Sequence, residues 1–216
     1  MNKVKKDWSY ILISFVVLMF GIWSVPKIIS KFSPEELVSF EEVPSFEFIN
    51  QDGELINNDF FKGKVYVVEF FFTKCPTICP VMNTNMLKIQ DHYYGNPNFG
   101  IASISIDTRN DTPEVLKVYA RDKGATMKNW EFLTGDKESI FKFSKDGFKI
   151  YVGENDKEPG GFEHSGLFAL VDKNGIIRSR TVTTGEYTNP IKFYDGLDLA
   201  QIQMLKEDIK ILLDEQ

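Results

Sequence analysis

The sequence predicts an α/β layered domain behind one hydrophobic N-terminal segment, and two runs carry most of that expectation. "KVYVVEFFF" (64–72) and "FGIASISI" (99–106) are continuously apolar and rich in β-branched and aromatic residues, as strands buried on both faces are. Each leads into a helical pattern, "VMNTNMLKIQDHYY" after the first and "DTPEVLKVYARDKG" after the second. Strands alternating with helices make a sheet covered by helices.

The elements follow in order. "WSYILISFVVLMFGIWSVP" (8–26) holds no charge, and about 20 apolar helical residues cross a bilayer. Trp8, Tyr10 and Trp23 lie near its ends, where amphipathic rings prefer the interface. Lys3, Lys5 and Lys6 in front favour a cytoplasmic N-terminus, although Lys27 and Lys31 behind offset part of that bias. A cleaved signal peptide would have a shorter apolar run and a small-x-small site, which "GIWSVPKIIS" does not offer. The expectation is a single-pass anchor over residues 1–31, a linker over 32–44, and a domain over 45–216. That domain would stand on the periplasmic side of a bacterial inner membrane.

Within the domain, "SFEFINQDGELI" alternates about Asp52-Gly53 and predicts a hairpin. The helix at "DTPEVLKVYARDKG" opens with Asp111 as its cap, Glu114 three residues on and Pro113 in the first turn, and stops at Gly124. "WEFLTG" reads as a strand, "DKESIFKFSKDG" as a helix, and "FKIYVG" as a strand. "LFALVDKNGIIRSRTV" reads as two strands about a turn at 172–175. "LDLAQIQMLKEDIKILL" is an amphipathic helix with Leu199, Ile202, Leu205, Ile209 and Leu212 on its core side.

Of the 216 residues, 43% are hydrophobic and 26% charged, enough for a core that needs no disulfide staples. The net charge of −6 arises in the domain, since residues 1–31 carry five lysines against Asp7. An acidic domain without a basic stripe argues against nucleic-acid binding, where phosphate neutralisation dominates affinity.

The only two cysteines stand in "FFFTKCPTICP", at the end of a buried strand and the start of a helix, where α/β sheets place their sites. A helix N-terminus favours thiolate over thiol, the form that attacks disulfides and binds metal. Pro80 suits a first turn, and Pro76 keeps Cys75 extended and outside the helix. Three residues separate the cysteines, one more than in the common dithiol-oxidoreductase motif. That spacing allows a metal between two sulfurs as readily as a disulfide. Two thiolates make an incomplete soft site that wants a third donor. His92 reads as a solvated helix-end residue. His164, in "EHSGLFALVDKNG", enters a buried strand after a glycine stretch and stands open between ligand and ordinary loop residue. Met82 and Met86 read as core fillers.

"FFFTKCPTICP", "SIDTRNDTPEVLKVYA", "WEFLTG" and "EHSGLFALVDKNG", in that order, resemble the Sco/SenC family over roughly residues 40–216. These are membrane-anchored, thioredoxin-like copper-binding proteins associated with assembly of the CuA centre of cytochrome c oxidase. The resemblance implies a thioredoxin-like fold with an added N-terminal hairpin. It also implies copper, as Cu(I) or Cu(II), held by Cys75, Cys79 and His164. Partners would be an oxidase subunit or other cuproprotein and a copper donor protein. Many members carry an acidic residue where this chain has Thr77, and Thr108 replaces a common proline; neither change removes a ligand. The alternative on the same residues is a thiol–disulfide reductase, with Cys75 and Cys79 as redox dithiol. Zinc suits the donor types too. A peroxidase reading lacks a supporting arginine beside Cys75.

Overall fold

The computed structural model describes residues 8–32, 37–185 and 187–215, with side chains from 12–25 of the first stretch and without those of His164 and Thr184 in the second. The chain divides into two compact units, residues 1–35 and 36–216.

The first unit is helix α1, Trp8–Phe32. Among the described residues no helix is long and apolar enough to cross a membrane. The described side chains of α1 cover residues 12–25, less than the about 20 residues that crossing takes. The expected span over 8–26 is thus not found among the described residues, and Lys3, Lys5 and Lys6 lie outside them.

The second unit begins with β1 (Val38–Glu42), where the sequence predicts linker. Its residues pair with a later strand, a long-range partnership that leaves no local mark. The hairpin of β2 (Glu47–Asn50) and β3 (Leu55–Asn57) turns at Gly53, whose φ of +79° suits glycine. Short α2 (Asn58–Phe61) leads into β4 (Val65–Phe71), then α3 (Cys79–Tyr93), β5 (Phe99–Ser105), α4 (Pro113–Lys123) and β6 (Trp130–Thr134). Next come α5 (Lys137–Lys142) and a π-helix (Phe143–Phe148) that prolongs it. The expected strand "FKIYVG" therefore shrinks to β7 (Val152–Glu154), which pairs with β8 (Phe162–His164). The last elements are β9 (Leu167–Val171), β10 (Ile176–Ser179), β11 (Thr181–Thr184), β12 (Tyr187–Pro190), β13 (Tyr194–Asp195) and α6 (Leu199–Asp214).

The main sheet runs β1-β10-β9-β4-β5-β6-β2-β3, with β13 also on β9. Its centre, β4-β5-β6, is parallel, and the flanking pairs are antiparallel. Consecutive strand residues face opposite sides. Accordingly Phe70 packs on Phe148 at 5.7 Å between ring centroids, against the π-helix, while Phe71 meets Phe132 at 5.7 Å and Tyr119 of α4 at 5.5 Å. Helix α3 lies between α4 and α6. Gln90 donates to the Gly124 carbonyl (3.1 Å), and the Tyr93 hydroxyl donates to the Lys206 carbonyl.

In α6 the buried apolar residues are Ile202, Leu205, Ile209 and Leu212. Leu199, expected in the core, is 60% exposed because the helix starts there, at the edge of the fold. Asp208 of α6 is fully buried. It accepts Nε (2.9 Å) and Nη2 (2.7 Å) of Arg180 and the Tyr194 hydroxyl (2.5 Å). Cutting this carboxylate to Asp208→Ala takes from the nearly buried Arg180 guanidinium its buried counter-charge, leaving among its described partners exposed Glu207 at 3.2 Å and the Met204 carbonyl at 3.3 Å. We expect a loss of about 3 kcal/mol, read as a lower urea midpoint at unchanged slope.

Candidate metal centre

The chain leaves β4 at Phe71, turns through residues 72–78 and enters α3 at Cys79. Proline in the first turn costs no hydrogen bond there, so the helix can begin on the second cysteine. Cys75 lies in the loop, as the sequence expects, with its N–H on the Phe72 carbonyl (3.3 Å). Cys75 and Cys79 are thiols hydrogen-bonded to each other, and they are 8% and 1% exposed.

The loop is tied from below by Asp111, which is fully buried. One carboxylate oxygen accepts the Thr73 N–H (2.9 Å) and the Ser105 hydroxyl (2.5 Å), and the other accepts the Thr73 hydroxyl (2.5 Å). The sequence makes Asp111 the cap of α4. The structure gives that role to Thr112, whose hydroxyl accepts the Val115 N–H, and turns Asp111 inward. The parallel register explains it: Phe71 lies beside Ser105, so residues just past β5 meet those just past β4. That register was the signal by which Asp111 could have been found.

The electrostatics differ from what a helix N-terminus alone suggests. A hydrogen bond with Cys75 pushes the Cys79 thiol well above the ordinary range, joined by burial and by the charges of Cys75 and Glu69. Glu69, buried on β4, accepts the Ser103 hydroxyl at 2.6 Å, which also takes the Trp130 Nε1–H at 2.9 Å. Thr77 sets its hydroxyl 3.6 Å from the Cys75 sulfur.

The loop that leads to His164 closes over the cysteines. Phe162 of β8 packs on Phe72 at 5.2 Å between centroids. A Cβ on Gly160, where φ is +91°, would stand 2.7 Å from the Phe72 ring and 3.3 Å from Pro76, so only glycine fits this approach. Between the two loops lies a cavity of about 130 Å³ lined by Phe72, Cys75, Thr77, Glu158, Phe162 and Glu163 among others. His164 follows Glu163 on the same strand and pairs with Val152, while its imidazole lies outside the described side chains. The structure thus brings the two cysteines together and the backbone of β8 to their cavity. Among the described residues no group of three His, Cys, Asp or Glu side chains is arranged to hold a metal. His92 is exposed in the last turn of α3, and Met82 and Met86 are core residues.

Two buried, adjacent thiols suit a soft ion, which on binding replaces their protons. Without metal, Cys79 keeps its proton in the fold beyond the ordinary thiol value of 9.0. Folded dithiol therefore binds a proton that the unfolded chain releases as pH climbs past about 9. The stability from this proton is full below that pH and is lost above it. We expect the urea midpoint of the reduced protein to fall above pH 9 more steeply than that of Cys79→Ser. Iodoacetamide at pH 8 should label Cys75 before Cys79, read by peptide mass spectrometry.

The SCO1/SenC family profile matches residues 35–193. The SCO1 protein homolog of Bacillus subtilis is 33% identical over 174 residues, 78% of this chain and 81% of that protein. A Stutzerimonas stutzeri protein whose name proposes copper binding is 28% identical over 169 residues, 77% of this chain and 78% of its own. BsSco of Bacillus subtilis is described as having a disulfide switch and belonging to the Sco family of cytochrome c oxidase assembly proteins. Its structure has a TM-score of 0.69 at 29% identity, covering 84% of this chain and 98% of that one. The mixed α/β, thioredoxin-like architecture is shared. With the profile spanning most of the chain and the Bacillus subtilis relative matching along most of both lengths, this protein belongs to the SCO1/SenC family.

Proposed function

We propose that this protein is a copper chaperone that binds the ion through Cys75, Cys79 and His164 and hands it to a membrane cuproprotein, most simply the CuA site of cytochrome c oxidase. The observation that carries the reading is the pair of buried, reduced thiols walled by the strand that bears His164. Copper is the cargo. Two thiolates favour Cu(I), and an imidazole makes Cu(II) acceptable as a third-donor site. Binding releases the thiol protons to solvent, and three protein donors leave a position for the donor or acceptor protein's incoming ligand. Glu158 and Glu163 beside the cavity favour entry of a cation. Support from kinship comes through the Stutzerimonas relative named for copper and BsSco's place among oxidase assembly proteins.

A second reading has one observation in its favour: the metal-free state is a neighbouring dithiol, and BsSco is described as having a disulfide switch. In that role the Cys75 sulfur attacks a target disulfide, Cys79 attacks the mixed disulfide, and the target leaves with both thiols while this chain keeps the disulfide.

The reading includes an inner-membrane anchor over residues 1–31 and a periplasmic domain that takes in strand β1 together with residues 45–216. Leu12, Phe15, Val17, Leu18, Phe20 and Ile22 of α1 are all exposed, an apolar surface around the helix that asks for a nonpolar surrounding. After carbonate washing, the full chain should remain with membranes and a chain starting at residue 36 should not.

Anaerobic Cu(I) titration of the full chain should show one ion bound, lost in Cys75→Ser and in Cys79→Ser. His164→Ala should keep Cu(I) with about 10–100-fold weaker affinity and lose the Cu(II)–thiolate absorption of the wild type. Equal loading and unchanged spectra in His164→Ala would remove the histidine from the site. A disulfide-reducing activity that survives in His164→Ala without copper would favour the second reading.

A further inference from the structure

The π-helix and β7 build a groove that the copper site does not use. Its cavity of about 650 Å³ has Phe141, Ile150, Tyr151 and Val152 as apolar walls and Lys142, Lys145 and Lys149 as its charged rim. All three lysines are exposed, and Asp146 is the one acid among the lining residues. This concentrates positive charge in a chain whose net charge is −6.

The local backbone is unusual for a surface of no consequence. A π-helix is rare and recurs at functional sites. Lys149, which ends it, is the one non-glycine with positive φ (57°) among the described residues, a conformation that costs about 1 kcal/mol or more. Its ammonium donates to the Asp146 carbonyl at 2.9 Å. Gly147 anchors the turn, because any Cβ there would stand 2.6 Å from the Pro44 ring. Tyr151 remains 66% exposed although aromatic.

The groove also has a position. Val152 lines it and is the register partner of His164. The same hairpin faces the Cys75 cavity with Phe162 and Glu163. The backbone of Val152 lies one strand spacing, about 5 Å, from that of His164, so an occupant of the groove touches the strand next to it.

We infer that this groove docks an acidic segment of the protein that exchanges copper with this one, an apolar or aromatic side chain entering between Phe141 and Tyr151 and carboxylates meeting the three lysines. The identity of that partner as a copper donor or acceptor rests on the proposed function; the docking chemistry does not. Concavity favours a protein segment over a flat anionic bilayer, since a groove of this volume takes side chains. Complementary charge then speeds encounter and fixes register.

The test uses the full chain in neutral detergent and a fluorescein-labelled synthetic peptide in which glutamates flank leucine and phenylalanine. Fluorescence anisotropy should show binding that weakens about tenfold in Lys142→Glu/Lys145→Glu, weakens in Lys149→Gly, and falls with salt. Glycine keeps the backbone of residue 149 comfortable, so that variant removes charge without strain. Arg121→Glu, on α4, should leave affinity unchanged. Equal binding of a peptide with lysine for every glutamate, or indifference to the double reversal, would overturn the inference. So would loss of binding to phosphatidylglycerol vesicles in the double reversal with peptide affinity intact, which would make the rim a lipid contact. Copper titration of the double reversal separates the two readings. Lysine-dependent peptide binding in a chain that takes no copper sinks the chaperone reading and leaves the groove standing.

Discussion

The close approach of Gly160 to Phe72 and Pro76 is the contact on which the rest of the site depends. Two loops far apart in sequence meet there, one holding Cys75 and the other leading to His164. Gly160 has no room for a β-carbon against the Phe72 ring, and its left-handed φ makes the approach natural for glycine alone. Phe162 stacking on Phe72 extends the contact, and the cavity on Cys75 is what remains between them. Asp111 secures the other side of the cysteine loop through Thr73, so the loop is gripped from both ends.

Held this way, the Cys79 thiol responds to Cys75 and to burial more than to the helix behind it. A helix N-terminus stabilises a negative charge by about 0.3–1 kcal/mol when exposed, and up to about 2 when partly buried. Against it stand the hydrogen bond of Cys79 with Cys75, the loss of water around it, and the charges of Cys75 and Glu69. The sum goes to the thiol. A pair of low-pKa cysteines would be a ready nucleophile at neutral pH; this pair keeps one proton until something displaces it. A metal cation does so directly, because its charge inverts the local preference. In the reductase reading, where Cys75 makes the first attack, the proton kept on Cys79 slows the second step, its attack on the mixed disulfide.

Legibility in the sequence followed the range of the interactions involved. Strands β4 and β5 declared themselves because burial on both faces demands continuous apolar runs, and the β2–β3 turn because Asp52-Gly53 fits it. Cys79 at the start of α3 was readable from the two prolines. Strand β1 was invisible, since "VSFEE" is half exposed and gains its hydrogen bonds only from β10, far along the chain. The inward turn of Asp111 was hidden for the same reason: "DTP" looks like a cap, and only the β4–β5 register shows a better use for the carboxylate. The strand expected at Phe148 gave way because Phe148 is pulled into the core against Phe70 and Phe143, which extends the helix by a wide turn and pushes the reversal onto Lys149. Of the proposed donors, the cysteines were local and legible. The route of His164 was not, because it rests on one glycine meeting one aromatic ring.

Thr77 takes its meaning from the charges around it. The resemblance sets an acidic residue at this place in many relatives, while here a neutral hydroxyl reaches the Cys75 sulfur. Glu69 already sits behind Cys79, and Glu158 and Glu163 already flank the cavity. A further carboxylate two residues from Cys75 would add repulsion to a thiolate there, although residue 77 is exposed and water screens part of it. A hydroxyl can donate to the sulfur when it is charged and accept from it when it is not. The position therefore serves the sulfur in both protonation states, and in the proposed copper reading the acidity that draws a cation in comes from Glu158 and Glu163.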